Sequence, residues 1–188
     1  MAKRRVIVVT DGDHVAQQVV EKVAKNIGGR AISTSGGNPT RISGEKIAAL
    51  VKQTPYDPVL VMVDDCGSRG RGNGEKALEA LVKDPELEIL GVLAVASNTS
   101  AVGGVPVTVS VTRDGQIIEE IVNKDGHPQP EKQQKIKGDT VDIINELSIP
   151  VVIGIGDLGK MDDADQAADG AKITTMAVQE ILRRNHIL

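Results

Sequence analysis

Aromatic residues are nearly absent from this chain of 188 residues, which has no Phe, no Trp and a single tyrosine, Tyr56. Single-stranded nucleic acids are bound largely by stacking of bases on aromatic rings. Any nucleic acid also needs clustered Lys and Arg to attract its phosphates, whereas the net charge of this chain is −4. The composition therefore argues against a nucleic-acid binder, and it requires a core of aliphatic side chains.

Cysteine and long apolar runs are also scarce. Cys66 is the only cysteine, so the chain forms no internal disulfide, which fits a reducing compartment. The apolar run at 6–9 is far shorter than a signal-peptide core, and no segment approaches the ~20 apolar residues of a membrane span. We therefore expect a soluble protein, while a peripheral position at a membrane stays open.

The residues that are present suffice for one ordinary domain. Apolar residues make up 40% of the sequence, which favours a globular fold over a disordered chain. A chain of this length buries a sizeable core, and neither an internal repeat nor a domain boundary is visible. We expect a single α/β domain over residues 1–188.

Short β-branched runs alternate with amphipathic helical segments in the first half of the chain. The runs "RRVIVVT", "RAISTS", "PVLVMVDD" and "LEILGVLAVAS" predict strands. Three amphipathic segments lie between them, and the first two begin after the capping residues Asp13 and Ser43. This β-α-β-α-β-α-β order is typical of a parallel sheet with helices on both faces.

The second half of the chain departs from this alternation. Asp114-Gly115 predicts an antiparallel hairpin over 107–122, and the polar link at 123–137 predicts an exposed, mobile excursion. The prediction is completed by a helix over 139–147, the strand "PVVIGI" and a last helix over about 171–185. The expected architecture is a three-layer α/β fold of Toprim/Rossmann type, with a mostly parallel sheet and one antiparallel hairpin.

The stretch "VVIGIGDLGK" carries a glycine pattern that is common in nucleotide-binding proteins. Gly154, Gly156 and Gly159 spell G-x-G-x-x-G, and with Lys160 they spell most of a phosphate-binding P-loop. A dinucleotide site requires a helix that starts at the glycines, and the polar sequence that follows predicts none. Met161 also replaces the Ser or Thr that holds magnesium in a P-loop. We therefore interpret the glycines as a structural turn, and we expect no cofactor.

Two groups of polar residues follow the most regular strands. Asp11, Asp13 and His14 come after the first strand, and Asp64 and Asp65 come after the third. If these strands are parallel neighbours, both groups meet at the carboxyl edge of the sheet, where α/β proteins place their sites. Two interpretations stay open: Asp11, Asp64 and Asp65 hold a metal ion, or the aspartates only cap helices and form turns.

The arrangement is similar to the Toprim metal-binding domain, whose strand ends carry a Glu and then an Asp-x-Asp. This sequence departs from that pattern twice. Asp11 stands at the Glu position, and Cys66 stands where the second Asp after Asp64 belongs. The resemblance implies, as an alternative function, a metal-dependent enzyme acting on phosphodiesters, and the two departures speak against the magnesium chemistry.

A loop rich in glycine and arginine, "CGSRGRGNGE" at 66–75, precedes the third helix. Its successive backbone N–H groups suit an anion-binding nest, and its arginines suit a carboxylate or phosphate. The candidate ligand-binding residues are Arg69, Gly70, Arg71 and Gly72. The alternative is a flexible, solvated loop, and we interpret Cys66 as a buried or merely incidental thiol.

Five strings of the sequence are specific enough to indicate a family. They are "RVIVVTDGDHVAQQVVE", "VLVMVDDCGSRGRGNGEKAL", "VLAVASNTS", "VVIGIGDLGKMDDAD" and "ITTMAVQEIL", and together they run over nearly the whole chain. On these strings the chain resembles the soluble stage V sporulation protein AE family of spore-forming Firmicutes. The resemblance supplies no catalytic residues.

The resemblance implies a role in an operon whose products take calcium dipicolinate into the developing spore and release it at germination. Several other products of that operon are membrane proteins. The implied function is that of a non-enzymatic accessory protein in the forespore or spore, soluble or peripheral at the inner spore membrane. Its implied partners are the channel and soluble subunits of the same operon, and a homo-oligomer is compatible with this role. Dipicolinate is a planar dicarboxylate, which the guanidinium groups of Arg69 and Arg71 suit as a ligand.

Overall fold

A computed structural model describes residues 2–67, 71–98, 103–130 and 134–188. Its seven strands form one sheet in the order β2-β3-β1-β4-β7-β5-β6. The strands are β1 (Arg4–Val9), β2 (Arg30–Ala31), β3 (Val59–Met62), β4 (Leu87–Val95), β5 (Val109–Val111), β6 (Ile117–Ile118) and β7 (Val152–Ile155). The α-helices are α1 (His14–Asn26), α2 (Gly44–Gln53), α3 (Asn73–Lys83) and α4 (Lys172–Arg184).

The sheet is parallel except at one edge. β1 lies between β3 and β4 and is parallel to both, β2 is parallel to β3, and β7 is parallel to β4 and to β5. β5 and β6 form the single antiparallel pair, which turns at Gly115 with φ 77. The structure therefore confirms the predicted α/β fold with a mostly parallel sheet and one hairpin.

Helices cover both faces of the sheet, so the fold has three layers. On one face, α1 and α4 bury aliphatic side chains against Ile7, Leu93 and Ile153. On the other face, α2 and α3 pack on residues that include Val8 and Val61. Because successive side chains of a strand point to opposite faces, β1 feeds both cores. In the described part of the chain, none of the helices combines the length and apolarity needed to cross a membrane.

The first two helices begin at the predicted caps. The Asp13 carboxylate accepts a hydrogen bond from the Ala16 N–H at 2.8 Å, and the Ser43 hydroxyl accepts one from the Lys46 N–H at 3.3 Å. The residue before α3 is Gly72, which has no side chain that could cap the helix. The N-terminus of α3 therefore needs an acceptor from elsewhere in the fold, because its first N–H groups have no partner within the helix.

The predicted helix over 139–147 is wrong in kind and length. The structure has one short 3₁₀ helix there, at Asp142–Glu146. Thr140 adopts a left-handed conformation with φ 61, which an α-helix does not continue through. The carboxylate of Asp142 is also drawn away from its own helix, since it accepts hydrogen bonds from the N–H groups of Gly103 and Gly104 at 3.1 and 2.8 Å.

The polar link at 123–137, of which residues 131–133 lie outside the described ranges, is largely exposed, but parts of its backbone are fixed to the fold. Ile136 is buried and exchanges two backbone hydrogen bonds of 2.9 Å with Val105. The Lys124 carbonyl accepts a hydrogen bond from the Asp157 N–H at 2.7 Å, and Gly126 is buried against Arg113. The polar composition of the link predicts exposure. Composition does not reveal the backbone hydrogen bonds and close packing that fix this segment to the fold.

The strand predicted at "RAISTS" is also shorter than expected. Only Arg30–Ala31 pair with β3, and Ser33–Ser35 form a 3₁₀ turn. The buried hydroxyl of Ser35 explains the change, because it accepts a hydrogen bond from the Met62 N–H at 2.9 Å and donates one to the Ile32 carbonyl at 2.6 Å. A side chain thus takes over the role of the next backbone pair in the sheet.

Candidate functional site

The two acidic groups meet at the carboxyl edge of the sheet, as predicted. β1 and β3 are parallel neighbours in which Val9 lies opposite Met62, so the residues that follow both strands leave the sheet side by side. The contact is direct, because the Gly12 N–H donates a hydrogen bond to the Asp64 carboxylate at 3.1 Å.

Asp64 is buried, and hydrogen bonds join it to three segments of the chain. Besides Gly12, its carboxylate accepts a hydrogen bond from the Cys66 N–H at 2.8 Å. Its own N–H donates to the Thr40 hydroxyl at 2.8 Å, and its carbonyl accepts from the Thr40 N–H at 2.9 Å. Asp64 therefore joins the loop after β1, the loop before α2 and the turn after β3.

Asp65 supplies the cap that α3 lacks. Its carboxylate accepts hydrogen bonds from the N–H groups of Gly74 at 2.6 Å and Glu75 at 3.1 Å, both in the first turn of α3. The Thr140 hydroxyl donates a third hydrogen bond at 2.9 Å. A carboxylate at this position also interacts favourably with the helix dipole. All three donors belong to the protein itself, so the Asp65 carboxylate is used to hold the N-terminus of α3 in place.

Asp11 lies among other carboxylates with one cation nearby. Asp13 and Asp157 both accept hydrogen bonds from the Lys160 ammonium group, at 3.3 and 3.0 Å. Among the described residues, Asp11 itself accepts one hydrogen bond, of 3.3 Å, from the Asp13 N–H. Of the residues after β1, His14 is exposed on the first turn of α1.

Burial and neighbouring charges raise the pKa of two of these carboxyl groups. The pKa of Asp11 rises from 3.8 to about 7, chiefly because the group is desolvated and then because Asp13 repels its charge. Desolvation likewise raises the pKa of Asp64 to about 6, against the hydrogen bond from Cys66, which stabilises the charged form. Near neutral pH the edge thus carries less negative charge than its composition suggests.

We expect Asp11→Asn to stabilise the protein at alkaline pH. The unfolded chain loses the Asp11 proton near pH 4 and the folded chain near pH 7, so stability falls as pH rises through this window and is level above it. One pKa unit is worth about 1.4 kcal/mol. Since Asp11 is partly exposed and its charge partly screened, we expect a gain of roughly 2 kcal/mol at pH 8.

Urea unfolding of both proteins between pH 4 and pH 8 measures this gain. The advantage of Asp11→Asn should shrink to nothing near pH 4. The matched control is Asp114→Asn at the exposed hairpin turn, which should show no such trend. An Asp11→Asn advantage that is constant with pH would contradict the assignment of a raised pKa to Asp11.

The residues proposed for a metal site do not fit a three-carboxylate centre. Across the ranges that the structure describes, no three side chains of His, Cys, Asp or Glu are grouped so that they could hold a metal ion. Asp65 faces Gly74, Glu75 and Thr140, and Asp64 faces two backbone N–H groups. Both carboxylates are used by the protein itself, and metal binding by Asp11, Asp64 and Asp65 stays a prediction.

The glycine- and arginine-rich loop is described only at its ends. Arg69 and Gly70 lie outside the described residues. The Arg71 guanidinium forms ion pairs with Glu79 at 3.0 Å and with Glu146 at 2.8 Å, and Gly72 immediately precedes α3. An anion at Arg71 would have to compete with these two carboxylates. Cys66 is exposed and left-handed, with φ 53, at the beginning of this loop.

The glycine pattern begins with Gly154 inside β7, and its later glycines lie in the turns that follow. The chain runs as turns beyond β7, and α4 begins only at Lys172, so in the described part of the chain no α-helix starts at the glycines. Gly159 is left-handed with φ 73, and a Cβ at Gly156 would lie 2.7 Å from the Lys124 carbonyl oxygen. This geometry agrees with the structural interpretation of Gly154, Gly156 and Gly159.

Three threonines complete this edge, and sequence reasoning missed them. Thr40 and Thr140 bind Asp64 and Asp65 from distant loops. The Thr10 hydroxyl accepts a hydrogen bond from the Val95 N–H at 3.0 Å and joins the ends of β1 and β4. Thr10 directly follows a strand and was open to prediction. Thr40 and Thr140 carried no signal, because only the folded chain brings them to the aspartates.

Comparisons with known proteins give one match. A family model described as stage V sporulation protein AE1 matches residues 5–185. No curated protein matches the chain, and no solved structure matches it. The Toprim/Rossmann-like label for the fold therefore stays a prediction.

Proposed function

The chain belongs to the stage V sporulation protein AE1 family, and from that premise we propose that it acts through binding to other proteins, without catalysis of its own. Membership of the family gives it a role in sporulation. The proposed role is that of an accessory protein of the complex that moves calcium dipicolinate, in sporulation and germination. Its partners are the membrane-channel and soluble subunits of the same operon, at the inner membrane of the spore.

The observation that carries the proposal is the use of Asp65. A catalytic or ligand-binding carboxylate at the carboxyl edge must face a substrate or a metal, whereas Asp65 faces Gly74, Glu75 and Thr140. Asp64 and Asp13 likewise bind backbone N–H groups. Asp13, Asp64 and Asp65 follow strand ends at which an α/β enzyme places its chemistry, and here they hold loops and helices. This arrangement favours a protein that works through its outer surface.

The link at 123–137 is the surface we propose for docking. Its two ends are fixed by buried residues such as Gly126 and Ile136, while Lys124 and Lys135 remain exposed. A loop anchored by its backbone presents side chains at low entropic cost, since the backbone is ordered before the partner binds.

Affinity capture from sporulating cells tests the proposal. The tagged chain should enrich the channel and soluble subunits of its operon over a tag-only control. The variant carrying Lys124→Glu and Lys135→Glu should lose most of this enrichment. The charge-matched control, which carries Lys25→Glu and Lys46→Glu at exposed positions of α1 and α2, should retain it. Failure of the unaltered chain to enrich any of these subunits would overturn the proposal.

A metal-dependent, Toprim-like enzyme acting on phosphodiesters is the second candidate. It is favoured by the pairing of β1 with β3, which sets Asp11 beside Asp64 at one edge. It predicts that magnesium binds at these two residues and that losing either abolishes hydrolysis. A small-anion site for dipicolinate at Arg69 and Arg71 is a further hypothesis, and for Arg71 it must overcome the ion pairs with Glu79 and Glu146.

A further inference from the structure

A cleft of about 620 Å³ lies between the start of α2 and the outer side of α3. The loop before α2 forms one wall with Thr40 and Arg41, and α3 forms the other with Asn73, Lys76 and Lys83. The Asn73 amide donates a hydrogen bond to the Thr40 carbonyl at 3.1 Å, which ties the two walls together at their base.

The carboxylates of this cleft already have partners. Glu79 forms ion pairs with Lys83 at 2.6 Å and with Arg71 at 3.0 Å. Glu45 folds back on the first turn of α2, where hydrogen bonds from its own N–H and from Ser43 lower its pKa. Glu79 is thus already paired with cations, whereas Glu45 keeps its negative charge in the lining of the cleft.

Two cations of the cleft have no such partner. Among the residues that the structure describes, the side chains of Arg41 and Lys76 form no ion pair and no hydrogen bond with protein groups. The stem of Arg41 is nonetheless positioned, because it lies against Gly37, where a Cβ would be 3.2 Å from the Arg41 Cγ. The cleft therefore presents a positioned guanidinium and an ammonium group from opposite walls.

We propose that this cleft binds a small oxyanion carrying two negative charges, a phosphate group or a dicarboxylate, between Arg41 and Lys76. Arg offers a planar fork of N–H donors to such groups, and Lys offers a compact charge. The proposed site uses neither Arg69 nor Arg71 as a ligand, and it does not depend on the proposed partners.

The cleft is connected to the carboxyl edge through Thr40. Thr40 lines the cleft, and both its hydroxyl and its N–H are hydrogen-bonded to the backbone of Asp64. An anion that draws Arg41 inward would act on the adjacent Thr40 and so reach the loops that Asp64 holds. We therefore expect amide signals of Thr40 and Asp64 to respond together with those of the cleft.

Titration of the full chain, followed by NMR of its backbone amides, tests this site. Inorganic phosphate is used in one arm and succinate in the other, both at constant ionic strength with chloride as the reference anion. At least one of the two should give saturable shifts at Arg41 and Lys76, and comparison of the arms identifies the preferred anion. Arg41→Gln and Lys76→Gln should each weaken that binding by about tenfold or more, since a hydrogen bond to a charged group is lost.

The matched control is Lys46→Gln, an exposed lysine on α2 outside the cleft, which should leave the affinity unchanged. Equal weakening by Lys46→Gln and Lys76→Gln would mean that only the overall charge matters, and it would overturn the proposal. The absence of saturable shifts with both phosphate and succinate would overturn it as well. The capture of partner proteins has no bearing on either outcome.

Discussion

Replacing Asp65 with alanine is expected to lower the free energy of unfolding by roughly 3 kcal/mol. The change removes three hydrogen bonds at once and leaves the Gly74 N–H and the Thr140 hydroxyl buried without an acceptor. A buried donor without a partner costs about 1–3 kcal/mol, and loss of a helix cap costs about 1 kcal/mol. Water can replace the lost acceptor at the more exposed Glu75 N–H, so we expect the loss of stability to be smaller than the sum of these separate costs.

Asp65→Asn is the matched variant, because its carbonyl oxygen can still accept one of the two hydrogen bonds from α3. It should cost about half as much as the alanine, on the same scale of hydrogen-bond energies. Urea unfolding followed by circular dichroism gives both values. A loss below about 1 kcal/mol for Asp65→Ala, the range of ordinary surface changes, would show that Asp65 does not seat α3.

Gly74→Ala is expected to destabilise the protein by roughly 2–3 kcal/mol, against what helix propensity suggests. In an isolated helix the change would be favourable by about 1 kcal/mol. Here a Cβ would lie 2.7 Å from the backbone nitrogen of Asp64 and 2.8 Å from its carbonyl carbon and oxygen. These atoms are fixed by Thr40, so the strain of overpacking, typically about 1–3 kcal/mol, adds to the shift of α3 away from Asp65.

Gly103→Ala provides the control for this substitution. The nearest atom to a Cβ there is an Asp142 carboxylate oxygen at 3.7 Å, which is ordinary contact. The control should change stability by no more than about 0.5 kcal/mol. Thermal and urea unfolding of both variants gives the comparison, and a Gly74→Ala protein as stable as the unaltered chain would disprove the close seating of α3 on β3.

The fold was largely predictable because its determinants are local. The β-branched runs, the caps at Asp13 and Ser43 and the Asp114-Gly115 turn each act within a few residues. The wrong predictions lie where a hydrogen bond to a group distant in the sequence determines the local structure. The Asp142 carboxylate accepts hydrogen bonds from the N–H groups of Gly103 and Gly104 where a longer helix was predicted. The Ser35 hydroxyl accepts one from the Met62 N–H where the strand was predicted to continue.

The position of the candidate site could be predicted from the sequence, but the hydrogen-bond partners of its aspartates could not. The parallel pairing of β1 and β3 was enough to bring Asp11 and Asp64 together. What the aspartates do there depends on the donors that face them, and Thr40, Thr140 and α3 arrive from elsewhere in the sequence. Spacing alone cannot separate a carboxylate that caps a helix from one that holds a metal ion.

Asp13, Asp64 and Asp65 at the carboxyl edge hold loops and helices in place, and on this basis we propose that the protein acts by binding partners and holds no metal ion at this edge. Calorimetric titration of the chain and of Asp11→Asn with magnesium, at pH 8 where Asp11 is ionised, tests this claim most directly. We predict no saturable binding that distinguishes the two proteins. Magnesium binding that Asp11→Asn abolishes while the variant stays folded, accompanied by phosphodiester hydrolysis in the unaltered chain, would contradict the account.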